Sequence, residues 1–143
     1  MRIPIVIIAF LISARAWSAE PPCTDSWIKK TQECDDGGTQ NMTRCFGAKR
    51  QEADDELNDV YAQLKADLVD PRVFVKAQRS WIAYRDAECT YQSSGYACDS
   101  GISGMCSLSS GLCQIRLTCE RVKLLREHID TKCNGCPVRK SDG

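Results

Sequence analysis

Residues 53–90 read ADDELNDVYAQLKADLVDPRVFVKAQRSWIAYRDAECT, two helical patterns broken once, at Asp70-Pro71. Ala53, Leu57, Val60, Tyr61, Leu64 and Leu68 recur at three and four residues, the period of one helix face. Past the break, Phe74, Ala77, Trp81 and Tyr84 repeat in the same way, and so do Val75, Ile82 and Cys89. Aspartate at a cap position and proline at the first helical position start a helix well, because proline lacks an N–H that would be unpaired there anyway. So short a connection predicts two antiparallel neighbours, a helical hairpin on which the rest of the chain is organised.

Upstream, Met42 and Phe46 extend the first stripe, so this helix is predicted to begin near Thr39 or Asn41, with Gly47 weakening it locally. Before it, Asp35-Asp36-Gly37-Gly38 ends a short helix over Thr24–Glu33, capped by Thr24 or Asp25 and contributing Trp27 and Ile28. Downstream, residues 92–107 read QSSGYACDSGISGMCS, without helical period and rich in Gly and Ser, a long loop. A last helix from about Leu108 to Ile129 carries Leu108, Leu112, Ile115, Cys119, Val122, Leu125 and Ile129, and Cys133-Asn134-Gly135-Cys136-Pro137 ends it. The predicted fold is all-α: a small antiparallel bundle of three long helices plus a short N-terminal helix, stapled by disulfides.

The N-terminal residues MRIPIVIIAFLISARAWSA have one early positive charge, an apolar run and small residues before Glu20, the form of a secretory signal peptide. The expected organisation is a signal peptide at 1–19, one helical domain at 20–137 and a flexible tail at 138–143. Without the first 19 of its 143 residues the chain has 124, with 17 basic side chains (19 less Arg2 and Arg15) against 19 acidic, a formal charge of −2. That balance argues against a nucleic-acid partner, which needs a concentrated basic face. No stable membrane insertion is expected after signal cleavage, and the destination is the periplasm or the exterior. Ten cysteines in so short an exported chain read as a disulfide framework.

An up, down, up arrangement of the long helices gathers Cys34, Cys45, Cys89, Cys98, Cys106 and Cys113 at one end. Cys23 falls at the other end with Cys133 and Cys136, and is expected to bridge to one of these two. Cys113 and Cys119 point in different directions from one helix and need separate partners. The preferred pairs are Cys89 with Cys113 and Cys34 with Cys45, with Cys98 and Cys106 closing the loop and Cys119 left unassigned.

Little in the chain points to catalysis. His128 is the single histidine and stands near a helix end, where the dipole favours its charge. Asp54-Asp55 and Asp86-Glu88 have the character of glycosidase carboxylate pairs but fall on exposed helix positions or at salt-bridge spacing from Arg85. Cys133-x-x-Cys136 follows a helix instead of preceding one, which suits a disulfide better than a redox thiol. Zinc would require a second pair of similar spacing. Asn41-Met42-Thr43 matches a glycosylation acceptor, relevant only to a eukaryotic secretory route. No cofactor, metal or catalytic residue is predicted. Asn58, Gln78, Arg85, Thr118 and Arg121 form instead a predicted structural polar network, with Arg85 and Arg121 paired to acids such as Asp54, Asp55 or Glu88.

Met42-Thr43-Arg44-Cys45, then Ala53-Asp54-x-Glu56-Leu57-Asn58-x-x-Tyr61-x-x-Leu64, then Ala77-Gln78-Arg79-x-Trp81-Ile82-x-Tyr84-Arg85-Asp86-x-Glu88-Cys89 resemble the bacterial LprI-type lysozyme-inhibitor-like family. Cys113, Leu117-Thr118, Arg121 and Leu125 match its last helix, so the resemblance spans Cys34 to Leu125. It implies a small exported helical domain and, for some members, binding and inhibition of lysozyme. The chain departs from the pattern at Ser100-Gly101-Ile102-Ser103-Gly104, where a Gly-Gly-Ser-type segment is usual, and in its additional cysteines. The expected partner is lysozyme or another envelope protein, with Tyr96, Ser100, Ile102 and Ser103 in the stapled loop as the contact residues.

Overall fold

A computed structural model describes residues 20–35, 37–96, 98, 104–131 and 135–142. Four α-helices carry the fold: α1 (Asp25–Thr31), α2 (Thr39–Asp67), α3 (Arg72–Ser93) and α4 (Gly104–Asp130). Among the described residues there is no strand, only an isolated bridge between Leu68 and Arg139. The architecture is the expected disulfide-stapled all-α bundle of three long helices and one short one.

Local chemistry sets the helix ends. Thr24 caps α1, its hydroxyl accepting from the backbone N–H of Trp27 at 3.3 Å. Gly37 stands at φ +122°, a region side chains disfavour, and this lets the chain double back from α1 into α2. Gly38 is extended, so only one of the paired glycines is needed for its conformational freedom. At the break, α3 begins at Arg72 and not at Pro71, yet Asp70 still does the capping work: its Oδ1 accepts from the Arg72 backbone N–H at 3.1 Å.

The centre of the bundle is α4, a correction to the organising role given to the hairpin. α4 packs along both α2 and α3, whereas α2 and α3 meet at few points, chiefly the stacked rings of Tyr61 and Phe74, 5.1 Å apart. The connection across Asp70-Pro71 brings the ends of α2 and α3 together, but two helices splay when a third lies between them. α4 accordingly buries Leu108, Ile115, Cys119, Val122 and Leu125 against Phe46, Ala53, Leu57, Val60 and Leu64 of α2. On its α3 side it buries Cys113 and Leu117 with Cys89. Leu125 and Val122 are fully enclosed, so Leu125→Ala would cost about 2–5 kcal/mol through lost transfer energy and a cavity.

The α3 stripes are corrected as well. Only Gln78, Cys89 and Ser93 are buried on this helix, Phe74 and Trp81 are partly buried, and Ile82 and Tyr84 are exposed. Two overlapping apolar stripes cannot both face a single neighbour, and with α2 held away only a narrow face of α3 is covered. On α4, Leu112 is exposed where the sequence placed it inward.

The loop before α4 is shorter than expected, because the helix starts at Gly104 instead of Leu108. There it abuts the start of α2: a Cβ on residue 104 would lie 2.5 Å from the Thr39 methyl, which explains a glycine at the contact. Cys106 therefore sits in the first turn of α4.

Cys23 bonds to Cys119 and not to Cys133 or Cys136. The seven residues of α1 make only about 10 Å of helix, too little to reach from one end of the bundle to the other. α1 lies instead along the middle, with Asp25 2.7 Å from Lys123 of α4 and the Trp27 Nε1 donating to Glu52 of α2 at 2.9 Å. Cys34–Cys45, Cys89–Cys113 and Cys98–Cys106 are joined as preferred, and Cys136 is also disulfide-bonded.

Residues 138–142 are docked, correcting the expectation of a flexible tail for the described part of 138–143. The Val69 N–H donates to Val138 O at 3.0 Å, and Ser141 Oγ donates to Asp67 at 2.8 Å. Arg139 is buried and donates to the carbonyls of His128, Ile129 and Thr131 at the end of α4, where a helix runs out of backbone donors of its own.

Candidate functional site

Three places along the bundle are candidates for a site: its middle, the end holding the stapled loop, and the opposite end under the docked C-terminal segment. In the middle, Arg85 from α3 reaches across α4 to α2. Its Nη1 donates to Asp54 Oδ1 at 2.8 Å and to the Thr118 hydroxyl at 3.2 Å, and its Nε donates to Asp86 at 3.0 Å. Thr118 is almost wholly enclosed and would be stranded without this donor. Arg121, one turn further along α4, gives its Nε to Gln78 Oε1 at 3.1 Å. Both guanidinium groups lie over the Trp81 ring, at 5.4 Å and 5.7 Å from its centroid, within the range of cation–π attraction.

Four of the five predicted network residues thus come together: Gln78, Arg85, Thr118 and Arg121. Asn58 does not join them. It sits exposed on α2 and makes no hydrogen bond among the described residues, because the helix turns it past the face that meets Arg85. Arg121 pairs with the Gln78 amide where an acid was expected. Burial pushes its pKa down, and no carboxylate among the described residues stands within ion-pair distance of it.

At the loop end, Cys89–Cys113 ties the last turns of α3 to α4, and Cys98–Cys106 fastens the loop to the first turn of α4. Tyr96 ends the 3₁₀ turn Ser94–Tyr96 and is 45% exposed. Ser100, Ile102 and Ser103 lie outside the described residues. Beside this loop runs a cleft of about 670 Å³ walled by Thr43, Arg50, Ser93, Ser107 and Gln114, with the two loop cysteines on its side. Arg50 spans part of it, donating to Gln114 Oε1 at 3.1 Å. Sequence reading missed this cleft because its walls come from three helices whose register only the fold sets.

The acids once weighed as glycosidase pairs have structural occupations. Asp54 and Asp86 hold Arg85, Asp55 accepts from Gln51 at 2.9 Å, and Glu88 accepts from Gln92 at 2.7 Å. Glu56 is paired with Arg126. The pKa of Glu52 is lowered although desolvation opposes this, because Lys49 and the Trp27 indole both donate to it. His128 is exposed near the end of α4. Among the described residues, no group of three or more His, Cys, Asp or Glu side chains is placed to hold a metal ion.

The third place, at the Asp70-Pro71 end, is an apolar cleft of about 540 Å³ between α2, α3, the end of α4 and the docked segment. No sequence signal marked it, because Arg139 belongs to a segment expected to be a free tail and Pro137 to the turn that ends the last helix.

Among the described residues no helix is long and apolar enough to cross a membrane. No curated protein and no solved structure matches the chain. A family model described as lysozyme inhibitor LprI matches residues 31–125, which is 95 of the 143 residues and takes in α2, α3 and most of α4. The matched span holds Arg85, Asp54, Thr118, Trp81 and the Cys89–Cys113 bridge, and the chain belongs to the LprI lysozyme inhibitor family.

Proposed function

We propose that this is an exported bacterial protein that binds and inhibits lysozyme-like peptidoglycan hydrolases, without chemistry of its own. The family match over residues 31–125 is the observation that carries this reading. Residues 1–19 would direct export as a signal peptide, and four disulfide bridges among the described residues suit an oxidising compartment, the periplasm or the exterior.

The contact surface in this reading is the loop end. A lysozyme cleft presents acidic catalytic groups and sugar-binding subsites, so it can accept hydroxyls, backbone donors and a guanidinium. Tyr96, Ser100, Ile102 and Ser103 supply the first two kinds of group, and Arg50, in the cleft that Cys98 and Cys106 also line, adds a charge that complements the catalytic acids. Cys89–Cys113 and Cys98–Cys106 hold the neighbouring backbone before binding, which lowers the ordering cost. The test is a turbidity assay on bacterial cell walls: the mature protein should slow clearing by chicken-type or goose-type lysozyme, and no effect on either at micromolar excess would sink the reading.

A second reading, an envelope interaction protein whose partner is not a lysozyme, is favoured by one surface. α3 leaves Val73, Tyr84 and Tyr91 strongly exposed along its outer side. Pull-down from the native envelope separates the two. A stable non-lysozyme partner lost with Tyr84→Ala and Tyr91→Ala, and kept when the loop is altered, would support this second reading against the first.

A further inference from the structure

We propose that the apolar cleft at the Asp70-Pro71 end binds a single-chain amphiphile with a carboxylate head, the head on Arg121 and the tail along α2 and α3. Among the described residues Arg121 has no acid in ion-pair contact, unlike four other arginines. Arg85 has Asp54, Arg126 has Glu56, Arg72 has Asp70 and Arg116 has Glu120. A guanidinium carries five N–H donors and keeps its charge at any physiological pH. Gln78, itself buried, takes one donor through Nε, and the Trp81 ring lies against the group, so its position is fixed while its outer N–H groups remain to be used.

Arg121 lines the cleft, and from it the walls run through Leu64, Leu68, Phe74, Ala77 and Pro137. About 540 Å³ falls within the roughly 300–1,000 Å³ of small-molecule sites, and an apolar wall with one fixed charge is their usual composition. The other charges at this end are occupied or peripheral. Arg139 gives its Nη donors to three carbonyls at the end of α4, where the negative end of the helix dipole meets its charge, Asp70 is held by Arg72, and Glu127 and His128 are exposed. Arg121 is therefore the guanidinium of this lining whose donors stay open to a ligand, and it matches one negative charge. A carboxylate offers two oxygens in the plane of the guanidinium fork and one charge. A phosphate monoester would bring a second charge into apolar surroundings whose other guanidinium, Arg139, is already taken up by the α4 carbonyls.

Isothermal titration of the mature protein with decanoate, decanol and decyl phosphate tests this. Decanoate should bind with millimolar or better affinity, and decanol and decyl phosphate should each bind about tenfold more weakly or worse. Arg121→Gln should reduce decanoate to the level of decanol while leaving decanol unchanged, and Arg121→Lys should keep part of the preference. Ala77→Trp, at an exposed wall position, should block all three without lowering the urea midpoint. Equal binding of decanoate and decanol, tighter binding of decyl phosphate, unchanged decanoate binding in Arg121→Gln, or no decanoate binding at millimolar concentration would each overturn the proposal. Lysozyme inhibition plays no part in these readouts.

Discussion

Removing the Cys23–Cys119 bridge should cost more stability than removing any other bridge with both partners described. In the chain-entropy picture a bridge stabilises by restricting the unfolded chain, and the effect grows with the loop it closes. Separations of 96, 24 and 8 residues correspond to about 4.7, 3.5 and 2.5 kcal/mol for Cys23–Cys119, Cys89–Cys113 and Cys98–Cys106. Each pair would be replaced by alanines and the midpoint of urea unfolding measured with the other bridges intact. At a slope of about 2 kcal/mol/M the midpoints should fall by about 2.3, 1.7 and 1.2 M in that order. Cys23 adds a second signature. It holds φ +66°, which costs a non-glycine residue roughly 1–2 kcal/mol, so Cys23→Gly with Cys119→Ala should be the more stable of the two replacements by about 1 kcal/mol. An inverted order, with the 8-residue bridge costing as much as the 96-residue one, would refute the reasoning.

Other perturbations follow from the same contacts. Arg85→Met should destabilise by about 2–3 kcal/mol, since it strands Thr118 and leaves Asp54 unpaired, a figure kept below that of a fully buried pair because Asp54 is 26% exposed. A double-mutant cycle with Asp54→Asn should show coupling of about 1–2 kcal/mol, and additive losses would contradict the contact. Arg139→Ala should cost about 1–2 kcal/mol and speed amide exchange in the last turn of α4, while an unchanged midpoint would mean the docked segment adds nothing. Acid should weaken the fold through depressed carboxylates. Asp70, held by the Arg72 side chain and backbone, has its pKa lowered to about 2, so its contribution is complete above the ordinary value near 4 and is lost as pH falls through about 2. Asp70→Asn should flatten the stability profile in that window, and a profile parallel to wild type would remove Asp70 from the account.

Much of the core was legible because burial follows period. Phe46, Ala53, Leu57, Val60 and Leu64 on α2, and Leu108, Ile115, Val122 and Leu125 on α4, line up at three and four residues and face each other. Period names an apolar face but not the neighbour it meets, so the hairpin looked central when α4 was. On α3 the same limit was sharper, since two overlapping stripes gave no reason to leave Ile82 and Tyr84 in solvent. Arg85 was readable as an inward charge needing an acid, with Asp54 among those offered, whereas Arg121 with Gln78 depended on helix registers that no local signal carries. Cys23–Cys119 is hidden in the sequence because the end of the bundle at which Cys23 falls depends on how far the short α1 reaches. Arg139 reaches the end of α4 from 8 to 11 residues downstream, and nothing beside Arg139 in the sequence announces it.

The most direct test of the central claim is the rate of cell-wall clearing by lysozyme in the presence of three forms of the mature protein. Wild type should inhibit. The form with Tyr96→Ala and the Cys98–Cys106 bridge replaced by alanines should inhibit at least about tenfold more weakly. The form with Tyr84→Ala and Tyr91→Ala on α3 should match wild type. Absence of inhibition by wild type, or loss of inhibition through the α3 tyrosines while the opened loop retains it, would contradict a lysozyme inhibitor acting through its stapled loop.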